Sequence, residues 1–539
     1  MWGPAQSPQG RLQPENNCIV WRLFKKNMLS DGERGEWGAG MKLGELARIV
    51  AVPEGCREME ITGLANDSRK VRPGDLFFAV HGYKTDGLLY LDEAIRKGAV
   101  AAVTEGPVER ETPIPLLAAE RIREAEGLAA ARFYGEPSRK LRMIGVTGTN
   151  GKTTVAHLIK HILAAAEVPT GLIGTVWIEN GAMLESSERT TPDAIDLQRT
   201  LATMVANGMQ AVAMEVSSHA LALQRVTGTE YDAAVLTNIT HDHFDFHKDY
   251  QSYLESKSIL FRNLYPYGKP DKYAVLNRED PSWPMLKELC QVPVYDYGAG
   301  PEAMVRLIRT DRQERQSLLT LELCGRECRI ATSLPGRFNR YNILAAVAVA
   351  WREGVPLPAI AAAVPRFPGV PGRYQEVRCG QPFRVMVDFA HNPAALESIL
   401  EMAREQCSGR RIIVFGCEGE KDRLKRPLMG RIAVQNADIP ILTSDNLYHE
   451  DIGQIFEDVQ RGMGEEERRA LIVEPDRRNA IRKALELAQP GDFVIVAGKG
   501  HEQYLVRGSV YQPFSDVQIL QELLAEGASP PCPPSLPLQ

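Results

Sequence analysis

Seven residues, Gly148-Thr149-Asn150-Gly151-Lys152-Thr153-Thr154, stand where a strand-like run over 143–147 gives way to a helical pattern over about 153–166. Such a loop lets successive backbone N–H groups converge, and the positive end of the following helix adds to them, so the segment can cradle phosphates. Lys152 would pair with β/γ-phosphate oxygens, and the Thr153 hydroxyl would reach a bound Mg²⁺. The common spacing places another glycine five residues before Gly151; this chain has Val146 there, flanked by Gly145 and Gly148. The loop is therefore a variant, which argues against a routine GTPase.

Other residues could serve the same chemistry. Glu215 ends a buried-type strand, where a carboxylate is costly unless it is paired or bound to metal. The run His241-Asp242-His243-Phe244-Asp245-Phe246-His247 comes close to the His-x-His-x-Asp-His pattern of zinc hydrolases. Phe246, however, separates Asp245 from His247, and such a fold has no use for a phosphate loop upstream. Lys257 lies on a helical segment, where a lone lysine by itself reads as a solvated surface residue.

The elements needed to hold these groups follow from the pattern. At roughly 100–200 residues per domain, 539 residues suggest about three domains. The expected fold class is α/β: a small α/β unit over 41–139, a central phosphate-loop ATPase unit with a mostly parallel sheet over 140–366, and a Rossmann-like unit over 367–526. Buried-type runs at 211–216, 233–238 and 273–277, then at 385–388, 412–415, 439–443 and 493–497, alternate with helices, the pattern of parallel sheets covered on both faces. Ligands bind outside the carboxyl ends of such strands. In the last unit polar residues stand there: His391-Asn392, Glu418, Asp445-Asn446 and Lys499. Residues 1–40 are expected to be disordered or to precede the true start, and 527–539 to be a disordered Pro-rich tail.

Composition excludes other classes. Hydrophobic residues make up 44%, charged residues 24%, and the net charge is −6 without a long basic run, so nucleic acid is not the expected partner. No apolar run reaches the ~18–20 residues that span a bilayer, and the Ala-rich stretch 342–351 reads as a buried helix. Nine scattered cysteines, with Cys324 and Cys328 closest, form no zinc-type set. Mostly reduced thiols suit a cytoplasm.

Further motifs occur in order: Asp67-Ser68-Arg69 with 73–77; Thr190-Thr191-Pro192; 214–221, which contains Glu215 and Ser217; Thr237-Asn238 ahead of Asp242-His243; and Lys257 within 253–261. Gly336-Arg337-Phe338-Asn339 with Asn342, Pro371-Gly372-Arg373, 387–393 and Gly498-Lys499-Gly500-His501-Glu502 complete the set. Together with Gly-Thr-x-Gly-Lys-Thr they resemble the Mur ligase family over 41–516, most closely its MurE branch, which adds the third amino acid of the peptidoglycan stem peptide.

That resemblance implies an ATP-dependent carboxylate–amine ligase working through an acyl phosphate, with ATP and Mg²⁺ as cofactors. It implies catalytic Lys152, Glu215, His243 and Lys257, the last carbamylated by CO₂, and metal contacts from Thr153, Glu215, His243 and Lys257. ATP would meet residues 148–154 (Gly148, Thr149, Asn150, Gly151, Lys152, Thr153, Thr154) and Arg373, with Asp388 at the ribose and Asn339 at the adenine; capping or turn chemistry is the alternative for the last two. A UDP-MurNAc-dipeptide would meet Ser68, Thr190, Thr191, Ser217 and Arg225, any of whose hydroxyls could instead cap backbone. His241 and His247 are left as polar surface residues. A cytoplasmic monomer without membrane insertion is expected.

The resemblance fails at the incoming amino acid. The diaminopimelate type carries Asp-Asn-Pro-Arg, against Asp445-Asn446-Leu447-Tyr448 here, and a second family Arg aligns with Lys421, which keeps the charge without the planar fork. Gly498 and Glu502 are retained. The amino-acid site is thus expected at Lys421, Asp445, Asn446, Tyr448, Gly498 and Glu502, with meso-diaminopimelate not the normal amine. A paralogue joining another acid and amine, and a non-catalytic ATP-binding relative, remain as alternatives.

Overall fold

The computed structural model describes residues 40–82, 86–265, 268–313 and 316–526. The expectations for 1–39 and 527–539 fall outside these residues. Three principal sheets follow one another along the chain. The first is four-stranded and wholly parallel: Gly63–Ala65, Asp75–Phe78, Ala101–Glu105 and Leu116–Ala119, in sequence order. Its core of Leu43, Leu76, Phe78, Val103 and Leu117 is closed by the helix Ile122–Phe133.

The second sheet has eleven strands, and the phosphate-loop strand Arg142–Thr147 lies at its centre, between Ala211–Glu215 and Ala233–Leu236. The parallel core expected from the buried runs is present, but four of the ten pairings are antiparallel. Those pairings involve the short strands Trp177–Glu179 and Leu184–Ser186 at one edge and Val305–Arg312, Ser317–Leu323 and Arg326–Thr332 at the other. Trp177–Glu179, Leu184–Ser186, Ser317–Leu323 and Arg326–Thr332 each follow their antiparallel partner after only a few residues, a connection that favours antiparallel pairing; Val305–Arg312 pairs in parallel with the preceding strand Val294–Gly298. Helices Lys152–Ala165 and Arg337–Arg352 cover one face, and the alanines and valines of the latter are buried as expected.

The third sheet has six strands. Arg384–Asp388, Phe493–Ala497, Arg411–Phe415 and Ile439–Leu442 are mutually parallel, so their carboxyl ends lie on one edge. Among the described residues Cys56, Cys290, Cys324, Cys328, Cys407 and Cys417 are free thiols. No helix of the described residues is long and apolar enough to cross a membrane.

Candidate active site between the second and third sheets

The phosphate loop leaves the central strand through Gly148 at φ 146° and enters its helix through Gly151 at φ 90°. Neither position tolerates a side chain: a Cβ on Gly148 would lie 1.9 Å from Thr237 Oγ1, and one on Gly151 2.4 Å from Asn342 Oδ1. The neighbouring strand end clamps the loop, because Thr237 Oγ1 and Asn238 Nδ2 both donate to the Asn150 carbonyl, at 2.6 and 2.9 Å. Lys152 Nζ folds back onto the carbonyls of Gly148 and Thr149 at 3.0 and 2.9 Å. Burial lowers its ammonium pKa, and Arg373 does the same, against Glu215 and Asp242.

Glu215 is fully buried and accepts three hydrogen bonds. Thr153 Oγ1 donates to Oε2 at 2.9 Å, and Thr175 donates through its hydroxyl at 3.0 Å and its backbone N–H at 2.7 Å. Thr175 escaped the sequence reading; its signal was its place just after Thr170–Ile173, the strand parallel to that of Glu215. From the third unit Arg373 reaches in, stacked over Phe389 at 4.3 Å and donating to Thr153 Oγ1 at 3.3 Å.

Asp242 is the second buried anion and the main bridge between the units. Asn392 Nδ2 donates to it at 3.0 Å, His391 Nε2 lies 3.7 Å away and Lys425 Nζ 3.9 Å away. Burial opposes its charge, but His243, Lys425 and His391 outweigh that and hold the carboxyl well below the usual range. Asn150 and Asn392 exchange side-chain hydrogen bonds, at 3.3 and 3.0 Å. The two units therefore stand closed on one another.

Lys257 lies beneath the loop at 1% exposure. Among the described residues its Nζ meets the Gly148 carbonyl at 2.8 Å and the Tyr253 ring at 4.4 Å. Burial, aided by Lys152, holds its ammonium well below the ordinary range, so the surface reading of a lone lysine does not hold. His247 is corrected as well: it is 4% exposed and bonded to Ser218 Oγ at 2.9 Å, because the short helix Phe244–His247 turns it inward. His241 is half-buried and pairs with Asp422 of the third unit at 3.1 Å. The three histidines diverge, and among the described residues no group of three or more His, Cys, Asp or Glu could hold a metal. His243 sits at φ 58°, which turns its backbone at the cavity wall beside His219, ring centroids 4.9 Å apart.

A cavity of about 770 Å³ is lined by Thr149 to Thr154, Thr190, Glu215, His243, Asn339, Arg373, Asp388 and Lys421. Gly148 and Lys257 support it from below. Asn339 accepts from Asn342 Nδ2 and donates to the Pro335 carbonyl, while Asp388 accepts the N–H groups of Tyr374 and Ala390 at 2.7 and 2.9 Å. Asn339 thus braces the start of its own helix, and Asp388 holds both its own turn and the backbone after Arg373.

The remaining expected residues fall in two groups away from that lining. Thr191 Oγ1 donates to the Glu215 carbonyl at 2.8 Å, Ser217 caps its helix, Arg225 pairs with Asp193 at 3.0 Å, and Ser68 Oγ donates to Glu93 at 2.6 Å. In the third unit Lys499 Nζ, wholly buried, meets Glu502 at 2.6 Å and Asn446 Oδ1 at 3.0 Å. Asp445 lies 3.9 Å from it and beneath Gly498, and Tyr448 has Lys421 Nζ 5.8 Å above its ring. Burial raises the Glu502 carboxyl to about 7, with Asp445 and Glu418 adding to the effect and Lys499 opposing it.

Known proteins agree with this architecture. The Mur ligase family catalytic domain matches residues 60–134, the Mur ligase middle domain 146–350, and the Mur ligase glutamate ligase domain 372–500. The UDP-N-acetylmuramoyl-L-alanyl-D-glutamate–2,6-diaminopimelate ligase of Syntrophomonas wolfei is 40% identical over 496 residues, covering 90% of this chain and 99% of its own. The enzyme of that name from Lactiplantibacillus plantarum is 41% identical over 471 residues, covering 87% and 94%. Among solved structures, a ligase of the same name is 30% identical with a TM-score of 0.64, covering 90% of this chain and 99% of its own. The MurF ligase of Thermotoga maritima in complex with ADP shares the fold at 19% identity and a TM-score of 0.59, covering 86% and 98%. With all three family domains in order over most of its length, the chain belongs to the Mur ligase family.

Proposed function

We propose that the chain is an ATP-dependent ligase that joins an amino acid to the D-glutamyl carboxylate of UDP-MurNAc-L-Ala-D-Glu, in three units, 41–139, 140–366 and 367–526. The observation that carries this reading is the convergence on one cavity of the phosphate loop, Glu215, His243 and Arg373, the last delivered by a different unit. In this reading the substrate carboxylate attacks the γ-phosphate of ATP and expels ADP, and the amine then displaces phosphate from the acyl phosphate with loss of a proton. The protein's share is positioning and charge neutralisation. Lys152 leaves its carbonyl partners for the β/γ-phosphates, Arg373 reaches them from the closed third unit, and the Asp242–Asn392 bridge keeps water out. Asp388 takes the ribose and Asn339 supports the adenine. Ser68, Thr190, Thr191, Ser217 and Arg225 serve the UDP-linked substrate.

The Thr153 hydroxyl and the Glu215 carboxylate are hard oxygen donors, and among the described residues no all-protein cage surrounds them, which suits Mg²⁺ completed by phosphate oxygens. His243 and a carbamate on Lys257 would complete the protein contacts; Mg²⁺, when bound, neutralises the charge that develops in phosphoryl transfer. Lys257, buried and bonded to no carboxylate among the described residues, is a fitting CO₂ acceptor, since the neutral amine is the nucleophile.

For the amine, Tyr448 and Lys421 stand where the diaminopimelate type has arginines, so an amino acid other than meso-diaminopimelate is the proposed acceptor. The chain works as a cytoplasmic monomer. Phosphate release from ATP is measured with UDP-MurNAc-L-Ala-D-Glu and a panel that includes lysine and meso-diaminopimelate. Turnover with one amino acid supports the reading; silence across the panel, from folded chain that binds ATP, refutes it in favour of a paralogue acting on another acid and amine. Turnover with meso-diaminopimelate above all others refutes the altered specificity alone.

A further inference from the structure

Two loops of the third unit carry the residues assigned above to the amino acid. One, over 416–424, runs from strand Arg411–Phe415 to helix Lys425–Asn436 and bears Lys421. The other, over 443–451, runs from strand Ile439–Leu442 to helix Ile452–Gln460 and bears Asp445, Asn446 and Tyr448. Neither loop has regular structure of its own to fix its distance from the other. The Glu450 carboxylate joins them, alongside Glu420, whose Oε1 accepts the backbone N–H of His449 at 3.2 Å and lies 3.1 Å from its ring Nδ1.

Glu450 accepts a bidentate pair from Arg426, Nη1 to Oε1 and Nη2 to Oε2, both at 2.8 Å. Oε2 also accepts the backbone N–H of Glu420 at 2.7 Å, and Oε1 meets Arg423 at 2.6 Å. Arg426 is wholly buried, and its other two Nη–H groups donate to the Glu418 carbonyl at 3.0 Å and Asp458 at 3.0 Å. The guanidinium at the root of one loop is thus bound to the carboxylate at the end of the other, with the backbone on both sides of Gly419 held between them. The hydrogen bond with Arg426 comes first among the effects that pull the Glu450 carboxyl down to about 2, so the link stays charged at any working pH. A backbone fastening lies beside it: Gly419 N–H donates to the Asn446 carbonyl at 2.8 Å, so close that a Cβ on Gly419 would sit 2.0 Å from the Leu447 carbonyl oxygen.

We infer that Glu450 is a positioning residue for the incoming amino acid: through Arg426 and the Glu420 N–H it sets the spacing between the loop of Lys421 and the loop of Asn446 and Tyr448. The inference rests on the ligase reading. Glu450 itself does not line the cavity of the phosphate loop; the loop it holds reaches that wall through Glu418, Lys421 and Asp422, which the ATP assignment does not include.

The experiment is steady-state ADP formation by the full chain, with ATP and the amino acid varied separately, for the native protein, E450Q, E450D and R423Q. E450Q keeps size and loses charge, and it is expected to raise the KM of the amino acid at least fivefold, with the KM of ATP within twofold and kcat at saturation largely kept. E450D, which restores the charge, is expected to recover part of that loss. An unchanged amino-acid KM in E450Q, or both KM values rising together, overturns the inference. Should E450Q not fold, R423Q decides: its arginine is 61% exposed in the side chain, and it is expected to raise the amino-acid KM alone, by a smaller factor. No rise there overturns the inference equally. Native chain silent with every amino acid refutes the ligase reading, and the inference falls with it; native turnover beside an unmoved amino-acid KM refutes the inference alone.

Discussion

Glu126 should make the first unit less stable as pH rises through neutrality, and Glu126→Gln should remove that dependence. The residue lies on Ile122–Phe133 at 5% exposure and accepts one hydrogen bond, from Asn66 Nδ2 at 2.6 Å. Burial pushes its carboxyl from 4.5 up to about 7, with Asn66 opposing and Asp193 adding to the rise. The sign follows from linkage. A folded-state value above the unfolded one favours the protonated folded form, so its contribution is complete below about 4.5, is lost as pH rises to about 7, and stays lost above. At 1.36 kcal/mol per pH unit, that interval is worth about 3 kcal/mol. Glutamine has no proton to lose and keeps the oxygen that faces Asn66. E126Q should therefore exceed the native chain by about 3 kcal/mol at pH 8 and by under about 1 kcal/mol at pH 5. A three-unit protein need not unfold in one step, so the assay is amide hydrogen exchange along Ile122–Phe133, compared between the two proteins at each pH. The expected gain in protection at pH 8 is on the order of 100-fold, at 1.4 kcal/mol per tenfold. A gap of equal size at both pH values, or none at pH 8, would refute the argument that a desolvated carboxylate stands there.

Two further perturbations probe the loop and the third unit. Gly148→Ala places a Cβ 1.9 Å from Thr237 Oγ1 at φ 146°, and such strain costs about 1–3 kcal/mol; calorimetry should show ADP bound about tenfold or more weaker, and unchanged affinity would mean the loop does not hold phosphate. Asp516→Asn breaks the wholly buried, bidentate pair with Arg477, at 2.8 and 2.7 Å. Leaving that guanidinium uncompensated should destabilise the third unit by about 3–5 kcal/mol, read as a lower Tm; an unmoved Tm would show that the arginine finds another partner.

How much of the site was legible depended on how local its cause is. The strand–loop–helix geometry of 148–154 was legible because a strand, two glycines, Lys152 and Thr153 fit one short stretch whose conformation is set by its own backbone. Glu215 was legible because a carboxylate ending a buried run needs an explanation wherever it occurs. The edge strands Val305–Arg312 and Ser317–Leu323 were not foreseen as a sheet extension, since strand propensity does not say which neighbour pairs with which. His247 was misread for a related reason: a histidine in a polar run looks exposed until the chain folds Ser218 over it.

The sequence by itself determined the class of chemistry and the order of the units, because both are written in contiguous segments whose spacing dictates strand, loop and helix. Only the tertiary structure decided what surrounds each charge. It brought Asn392, His391 and Lys425 to Asp242 from about 150 or more residues away, laid Arg373 against Thr153, sank Lys257 beneath Gly148, and tied two loops together at Glu450. Ionisation and hydrogen bonding depend on distance and burial in three dimensions, and those are fixed by packing between distant segments rather than by the neighbours along the chain.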